Sequence, residues 1–132
     1  MNKTEEIILH EIIHRGTYCS QLCKYLDRKM NHNTPENYLI DTHAFILQKR
    51  IATIDSWIML LPRNEAFVLR EHLAYGRNLD TVLRRFELFF GEIINENQLL
   101  RIQEKGLQRI AKSIDLEFDS SDDLLLYMDY NA

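Results

Sequence analysis

Five polar residues recur at helical spacing near the C-terminal end of the chain, and their side chains suit the edges of DNA bases. They are Asn97, Gln98, Arg101, Lys105 and Gln108. Asn and Gln can form bidentate hydrogen bonds with adenine, and Arg can form them with guanine. The opposite side of the segment is apolar or small, at Leu99, Ile102, Gly106, Leu107 and Ile110. The pattern predicts a helix that buries one side and offers the other to a groove; the alternative is a solvated polar face.

Basic residues around this segment could hold the DNA backbone. They are Arg77, Arg84, Arg85, Arg109 and Lys112. Contacts with phosphate position a protein on DNA without specifying a base sequence. Helical spacing predicts that Arg84 and Arg85 point away from the protein core, where a phosphate could reach them.

The distribution of charge says more than the net charge of −4. Residues 1–61 hold seven basic and seven acidic residues, and residues 62–114 hold nine basic against seven acidic ones. Residues 115–132 hold six acidic residues and no basic one. The overall balance argues against unspecific binding of nucleic acid. The acidity is confined to a C-terminal tail, and the predicted DNA-reading part is weakly basic.

Other residues that could do chemistry do not form a recognisable catalytic or metal motif. Cys19 and Cys23 lie four apart, as do His10 and His14, but the two pairs fall on different helix faces. Without further ligands at zinc spacing, we predict small buried thiols and no metal site. The sequence also has no Gly-rich phosphate loop, nucleophile elbow or H-E-x-x-H pair. We therefore expect no enzymatic activity and no cofactor.

The elements that position these residues are predicted to be five helices. Thr4 caps the first helix, in which Gly16 is a break or kink, and the second helix follows Thr34 and Pro35. Pro62 closes the second helix, and Gly76 ends the third. The fourth begins after the cap Asn78, and the fifth after Asn95, with Gln98 completing a capping box. We expect the apolar joint between these last two, ELFFGEIIN, to be buried or to cover another surface.

The second helix carries a heptad seam, which is the clearest periodic pattern in the chain. Its members are Ile40, Ala44, Leu47, Ile51, Ile54, Ile58 and Leu61. We interpret the seam as one side of an antiparallel hairpin with the first helix; the alternative is a coiled-coil homodimer through residues 40–61. Trp57 lies beside the seam, where it is expected to pack.

The last eighteen residues, DLEFDSSDDLLLYMDYNA, alternate acids with large apolar side chains. Either the stretch LLLYM packs on its own domain, or the tail docks a partner or lies over the reading helix and restrains it. No apolar run reaches the length of a membrane span, and the N-terminus has acids within its apolar part, unlike a signal peptide. We expect a cytoplasmic protein without membrane contact.

Residues 61–111 resemble the region-4 helix-turn-helix of sigma-70 factors, and more closely the small phage and mobile-element transcriptional regulators of the ArpU/RinA type. LPRNEAFVL, from Leu61 to Leu69, fits the pattern LP-x-x-E-x-x-V-L. Tyr75, Leu79 and Val82 approximate the following motif, and Leu99, Gly106, Leu107 and Ile110 fit the final helix. The chain departs from the pattern in two places. We expect ELFFGEIIN to make the turn between the two paired helices about six residues longer than usual. Glu96 stands at a position where the family usually has a basic residue.

The sequence and the resemblance together lead to one expectation. The protein should be all-α, with an N-terminal helical hairpin or coiled-coil arm (1–61), a degenerate helix-turn-helix (62–114) and an acidic tail (115–132). The resemblance implies a transcriptional regulator that binds double-stranded DNA with the helix at 96–113 and contacts RNA polymerase. The alternative is a protein-interaction module, an adaptor or inhibitor, that acts through the heptad seam and the acidic tail without DNA.

Overall fold

The computed structural model describes residues 1–31 and 37–117, and these stretches are helical with no strand. The prediction of an all-α protein is confirmed. The helices are α1 (Lys3–Ile13), α2 (Arg15–Asn31), α3 (Asn37–Met59), α4 (Arg63–Val68), a π-helical segment (Leu69–Ala74), α5 (Leu79–Phe90) and α6 (Glu96–Glu117). None of them is long and apolar enough to cross a bilayer. The predicted cap at Thr34 and Pro35 and the tail from residue 118 lie outside the described residues.

The first predicted helix is two helices, and the predicted positions of its cap and its break are wrong. Asn2 caps α1, because its side chain accepts the Glu5 amide at 2.8 Å and its own amide donates to the Glu5 carboxylate. Thr4 is buried instead. The chain breaks at His14, between α1 and α2, while Gly16 lies within α2.

Helices α2 and α3 pack antiparallel to each other. The contacts run in opposite directions along the two helices: Arg15 pairs with Asp55, Tyr18 lies under Arg50, and Tyr25 stacks on His43. Four members of the heptad seam, Ala44, Ile54, Ile58 and Leu61, are buried within the single chain. Leu47 and Ile51 are partly buried against the same core. The six seam residues whose burial is described are therefore wholly or partly covered within a single chain.

One hydrophobic cluster joins the first and the last of the described helices, α1 and α6. It contains Ile8 and Ile12 from α1, Ile54 and Trp57 from α3, Leu69 and Leu73 from the π-helical segment, and Leu107, Ile110 and Ile114 from α6. Large apolar side chains that are fully buried are the main favourable contribution to folding, about 1.5–3 kcal/mol each. Because this cluster draws on both sides of Leu61, the N-terminal helices and the last helix are held by a common core.

A second cluster forms between α4, α5 and α6. It contains Phe67, Val68, Val82, Phe86, Ile94 and Leu99. The Phe67 ring meets the rings of Phe86 and Phe90 edge-on, with centroids 6.0 and 5.4 Å away. This arrangement is the favourable one for aromatic pairs. The second cluster fixes the angle between α5 and α6.

The joint ELFFGEIIN is shorter than predicted and is only partly buried. Its first four residues belong to α5, which ends at Phe90, so the connection to α6 is short and the expected six-residue lengthening is wrong. Gly91 ends α5 in the left-handed conformation at φ 66°, which favours glycine. The joint is also not wholly buried: Leu88 is 83% and Ile93 is 80% exposed. Leu88 lies on the face of α5 opposite Phe86 and Phe90, so helical periodicity turns it outward.

Candidate nucleic-acid interface

The candidate interface is the outer face of α6, and a capping box fixes where this helix begins. Asn95 Oδ1 accepts the Gln98 amide at 2.9 Å, and Gln98 Oε1 accepts the Asn95 amide at 2.9 Å. The predicted capping box is confirmed. It satisfies two backbone donors that would otherwise have no partner at the helix N-terminus. It also occupies the Gln98 side chain, which leaves that residue less free to contact a base.

The inner face of α6 is locked into both clusters. Leu99, Leu107 and Ile110 are fully or almost fully buried, as the sequence predicted. Gly106 is buried too, and a Cβ atom at this position would lie 3.1 Å from Leu69 Cδ1 and 3.5 Å from Glu65 Cβ. Glycine therefore allows α4 and the π-helical segment to approach α6 closely. The helix cannot rotate about its axis without exposing this face.

The outer face presents the remaining predicted base-reading residues to solvent. Asn97, Arg101, Lys105 and Gln108 are all exposed. In the described part of the chain Arg101 and Lys105 form no ion pair, while the Gln108 amide donates weakly to Glu104 at 3.4 Å. Glu96 and Glu104 place negative charge on the same helix. The face is thus polar and mixed in charge, with two unneutralised cations near its centre.

Two predicted phosphate-binding arginines, Arg77 and Arg85, pair with a buried carboxylate of the protein. The Glu71 side chain is only 7% exposed, and Arg85 donates two hydrogen bonds to it, at 3.0 and 3.1 Å. Arg77 pairs with the same carboxylate. The prediction that Arg85 points away from the protein is therefore wrong: a buried carboxylate is costly without a partner, and Arg85 provides one. Arg84 is exposed and forms no ion pair among the described residues.

Arg109 is also held by a buried carboxylate. Its guanidinium donates to both oxygens of Glu65, at 3.0 and 3.1 Å, and this hydrogen bonding raises the pKa of Arg109. Glu65 is 4% exposed, although the Arg109 side chain keeps about half of its surface in solvent. The pair ties α4 to the middle of α6. Among the predicted phosphate contacts, Arg84 and the exposed Lys112 stay unengaged in the described part.

The sequence patterns did not predict that Glu65 and Glu71 are buried and pair with arginines. Glu65 is the acidic position of the LP-x-x-E motif, and Glu71 lies in the π-helical segment, three residues before its end. A signal existed in the helical spacing, because Glu65 falls on the same side as Leu61, Val68 and Leu69. A charged residue on an apolar face is a position that requires a partner. The identity of that partner depends on tertiary packing.

The N-terminal helices hold a third arginine–carboxylate cluster. Arg50 Nε donates to the buried Glu11 at 2.9 Å, and the Arg50 guanidinium lies 4.5 Å from the centre of the Tyr18 ring. Burial, followed by a hydrogen bond with Glu11, raises the pKa of Tyr18 to about 12. This cluster connects α1, α2 and α3 and lies away from the outer face of α6.

No group of three or more His, Cys, Asp or Glu side chains that could hold a metal ion occurs among the described residues. Cys19 is half-buried beside Arg15 and Cys23 is exposed, so the prediction of buried thiols is wrong for Cys23. The His10 and His14 rings stack with their centroids 4.1 Å apart, and His14 Nδ1 lies 2.7 Å from the His10 carbonyl oxygen. These histidines interact with their own helix end.

Comparison of the chain with protein-family models, with curated proteins and with solved structures found no match.

Proposed function

We propose that the protein is a DNA-binding transcriptional regulator of the phage or mobile-element type that reads promoter DNA with α6. The observation that carries this proposal is the exposed series Asn97, Arg101, Lys105 and Gln108 on a helix whose opposite face is fully packed. A rigidly supported helix with amide and guanidinium groups on its free face suits the major groove. Such a protein acts in the cytoplasm, where contact with RNA polymerase is part of the same proposal.

The packing of α5 against α6 also supports this proposal. Val82 and Phe86 of α5 pack in one cluster with Leu99 of α6, and a short connection through Gly91 joins the two helices. In helix-turn-helix proteins the first helix of the pair crosses the DNA backbone while the second enters the groove. Arg84 on α5 and Lys112 on α6 are the exposed cations best suited to phosphate, because Arg77, Arg85 and Arg109 are paired with carboxylates.

The experiment is selection of a binding sequence from a pool of random double-stranded DNA by the full-length protein. We expect enrichment of a common motif. Binding to the enriched DNA should weaken steeply as salt rises from low to physiological concentration, since each phosphate contact releases a counterion. Failure to enrich any sequence, or binding that does not respond to salt, would contradict the proposal.

A protein-interaction module is the second candidate, and the exposed apolar side chains near the end of α5 favour it. Leu88, Phe89 and Ile93 are 83%, 65% and 80% exposed. Clustered apolar exposure of this kind marks interaction surfaces. Under this hypothesis, a protein partner captured by the full-length chain remains bound to the variant Arg101→Ala/Lys105→Ala and is lost in Leu88→Asp/Ile93→Asp. The opposite pattern would contradict it.

A homodimer through residues 40–61 remains a proposal under either function. Since most of the heptad seam is buried within one chain, a dimer would have to use exposed neighbours such as Phe45, which is 57% exposed. Light scattering of the full-length protein tests this. A dimer that Phe45→Asp converts to monomer would support it, and a monomeric wild-type protein at all accessible concentrations would contradict it.

A further inference from the structure

A groove lies between α4 and α5, apart from the outer face of α6. Its volume is about 340 Å³, and it is lined by Arg63, Ala66, Phe67, Arg70, Phe89 and Phe90. The four residues from α4 and the π-helical segment follow the spacing of a single helix face. The groove is therefore a continuous strip between two packed elements.

The floor of the groove is aromatic and open to solvent. Phe89 is 65% exposed, and its ring centroid lies 5.2 Å from that of Phe67. Phe90 closes the other side, 5.4 Å from Phe67. Contact of exposed aromatic surface with water is unfavourable. An apolar side chain that covers the floor would remove this surface from water and so bind favourably. The floor suits a ligand with large apolar side chains.

Two arginines flank this floor. Arg63 and Arg70 are seven residues apart, which is about 10 Å along a helix. Both are exposed, and in the described part of the chain neither forms an ion pair. By contrast Arg77, Arg85 and Arg109 of the same region all pair with buried carboxylates. The groove thus combines an apolar floor with two unneutralised guanidinium groups, and the complementary ligand is an acidic amphipathic peptide segment.

The chain itself contains a segment of this composition. Residues 118–132, FDSSDDLLLYMDYNA, carry four aspartates and no basic residue around the apolar run from Leu124 to Met128. We propose that residues 118–132 of the same chain dock in the groove, with the apolar run on the aromatic floor and aspartates facing Arg63 and Arg70. This inference does not depend on the proposed function.

The position of α6 brings the start of this segment close to the end of the groove at Arg63. Helix α4 and the π-helical segment run antiparallel to α6, since Glu65 pairs with Arg109 and His72 contacts Gln103. By this register Arg63 lies level with about residue 111 of α6, so Glu117 is roughly 9 Å further along the axis. Fifteen extended residues span up to about 50 Å, so chain length does not limit docking.

Photo-crosslinking of the full-length protein tests the proposal. Tyr127 is replaced by the aromatic photo-crosslinker p-benzoylphenylalanine, and every described residue of the two hydrophobic clusters keeps its wild-type side chain. The irradiated monomer band is then digested and mapped by mass spectrometry. We expect crosslinks within one chain to peptides that contain residues 63–70 and 89–90. Crosslinks to other parts of the chain, crosslinks only between two chains, or no crosslink would each overturn the proposal.

Charge reversal supplies the control on the same protein. Arg63→Glu/Arg70→Glu should reduce the yield of groove crosslinks about tenfold, because two attractive pairs become repulsive. Lys24→Glu/Arg28→Glu changes the charge equally on the exposed face of α2 and should leave the yield unchanged. Adding Asp122→Arg/Asp123→Arg to the first variant should restore the crosslinks. An unchanged yield in Arg63→Glu/Arg70→Glu, or no recovery in the charge-swapped protein, would contradict the ionic part of the recognition and overturn the proposal.

Discussion

At the scale of single residues, buried carboxylates decide which arginines are available to a ligand. Glu65 and Glu71 each lie on an apolar helix face and each recruit arginines that the sequence made candidates for phosphate binding. An unpaired buried charge costs several kcal/mol, so these arginines stabilise the folded state by pairing with the carboxylates. They are therefore not available to bind phosphate. Among the described residues of α5 and α6, the exposed cations without an ion pair are Arg84, Arg101, Lys105 and Lys112, and a DNA backbone or base could use them.

The Glu71 cluster gives the first prediction. Arg85→Met should lower the free energy of unfolding by about 2–4 kcal/mol, because it removes two of the hydrogen bonds to a buried carboxylate. Arg84→Met is the matched control on the neighbouring position, and it should change stability by less than about 0.5 kcal/mol. Urea unfolding measures both. Equal effects of the two substitutions would mean that Glu71 does not depend on Arg85.

Tyr18 gives a prediction about pH. Its pKa rises from 10.0 in the unfolded chain to about 12 in the folded protein, so the folded state retains the proton longer. The stabilisation is complete below pH 10 and is lost as pH rises through about 12, and it amounts to roughly 2–3 kcal/mol. Urea unfolding from pH 9 to 12 should show this loss in the wild type and less of it in Tyr18→Phe. The same pH dependence in both proteins would refute the assignment to Tyr18.

At the scale of secondary-structure elements, local signals predicted most of the helices and missed the features that depend on packing. Asn78 and the Asn95–Gln98 pair were readable because a cap is a contact between near neighbours. The break at His14 and the continuation of α5 through Phe90 were not. For residues 87–90 both a helix and an apolar joint satisfy the local pattern, and the contact of Phe90 with Phe67 distinguishes them. The arginine pairs of Glu65 and Glu71 span up to 44 positions, beyond the reach of periodicity.

The cap of α6 gives a prediction at this scale. Asn95→Ala should destabilise the protein by about 1 kcal/mol, because it leaves the Gln98 amide without its acceptor. Asn97→Ala changes the same residue type two positions later on the exposed face and should have an effect near zero. Thermal unfolding monitored by circular dichroism compares them. A larger loss in Asn97→Ala than in Asn95→Ala would contradict the cap assignment.

At the scale of the whole molecule, the two hydrophobic clusters meet at α4 and the π-helical segment, which contribute residues to both. Val68 belongs to the cluster with α5, and Leu69 next to it belongs to the cluster with α1 and α3. The predicted boundary after Leu61 is crossed by the first cluster. We therefore expect the described part of the chain to unfold as one cooperative unit.

Val82→Ala tests this cooperativity, because Val82 lies in the second cluster and Trp57 in the first. The substitution removes buried methyl groups and should cost about 1–3 kcal/mol. In urea unfolding the Trp57 fluorescence transition and the circular dichroism transition should shift together. A shift of the circular dichroism transition alone would mean that the two clusters unfold independently.

The central claim is that α6 reads bases, and the comparison of Arg101→Ala with Arg84→Ala tests it most directly. Affinities for the selected DNA and for a scrambled duplex are measured at one salt concentration. Arg101→Ala should weaken binding to the selected DNA by about 1–3 kcal/mol while hardly affecting the scrambled duplex, because a base contact is lost. Arg84→Ala should weaken both alike, because a phosphate contact carries no sequence information. Equal losses for the two DNAs in Arg101→Ala, or no loss in either, would contradict the account.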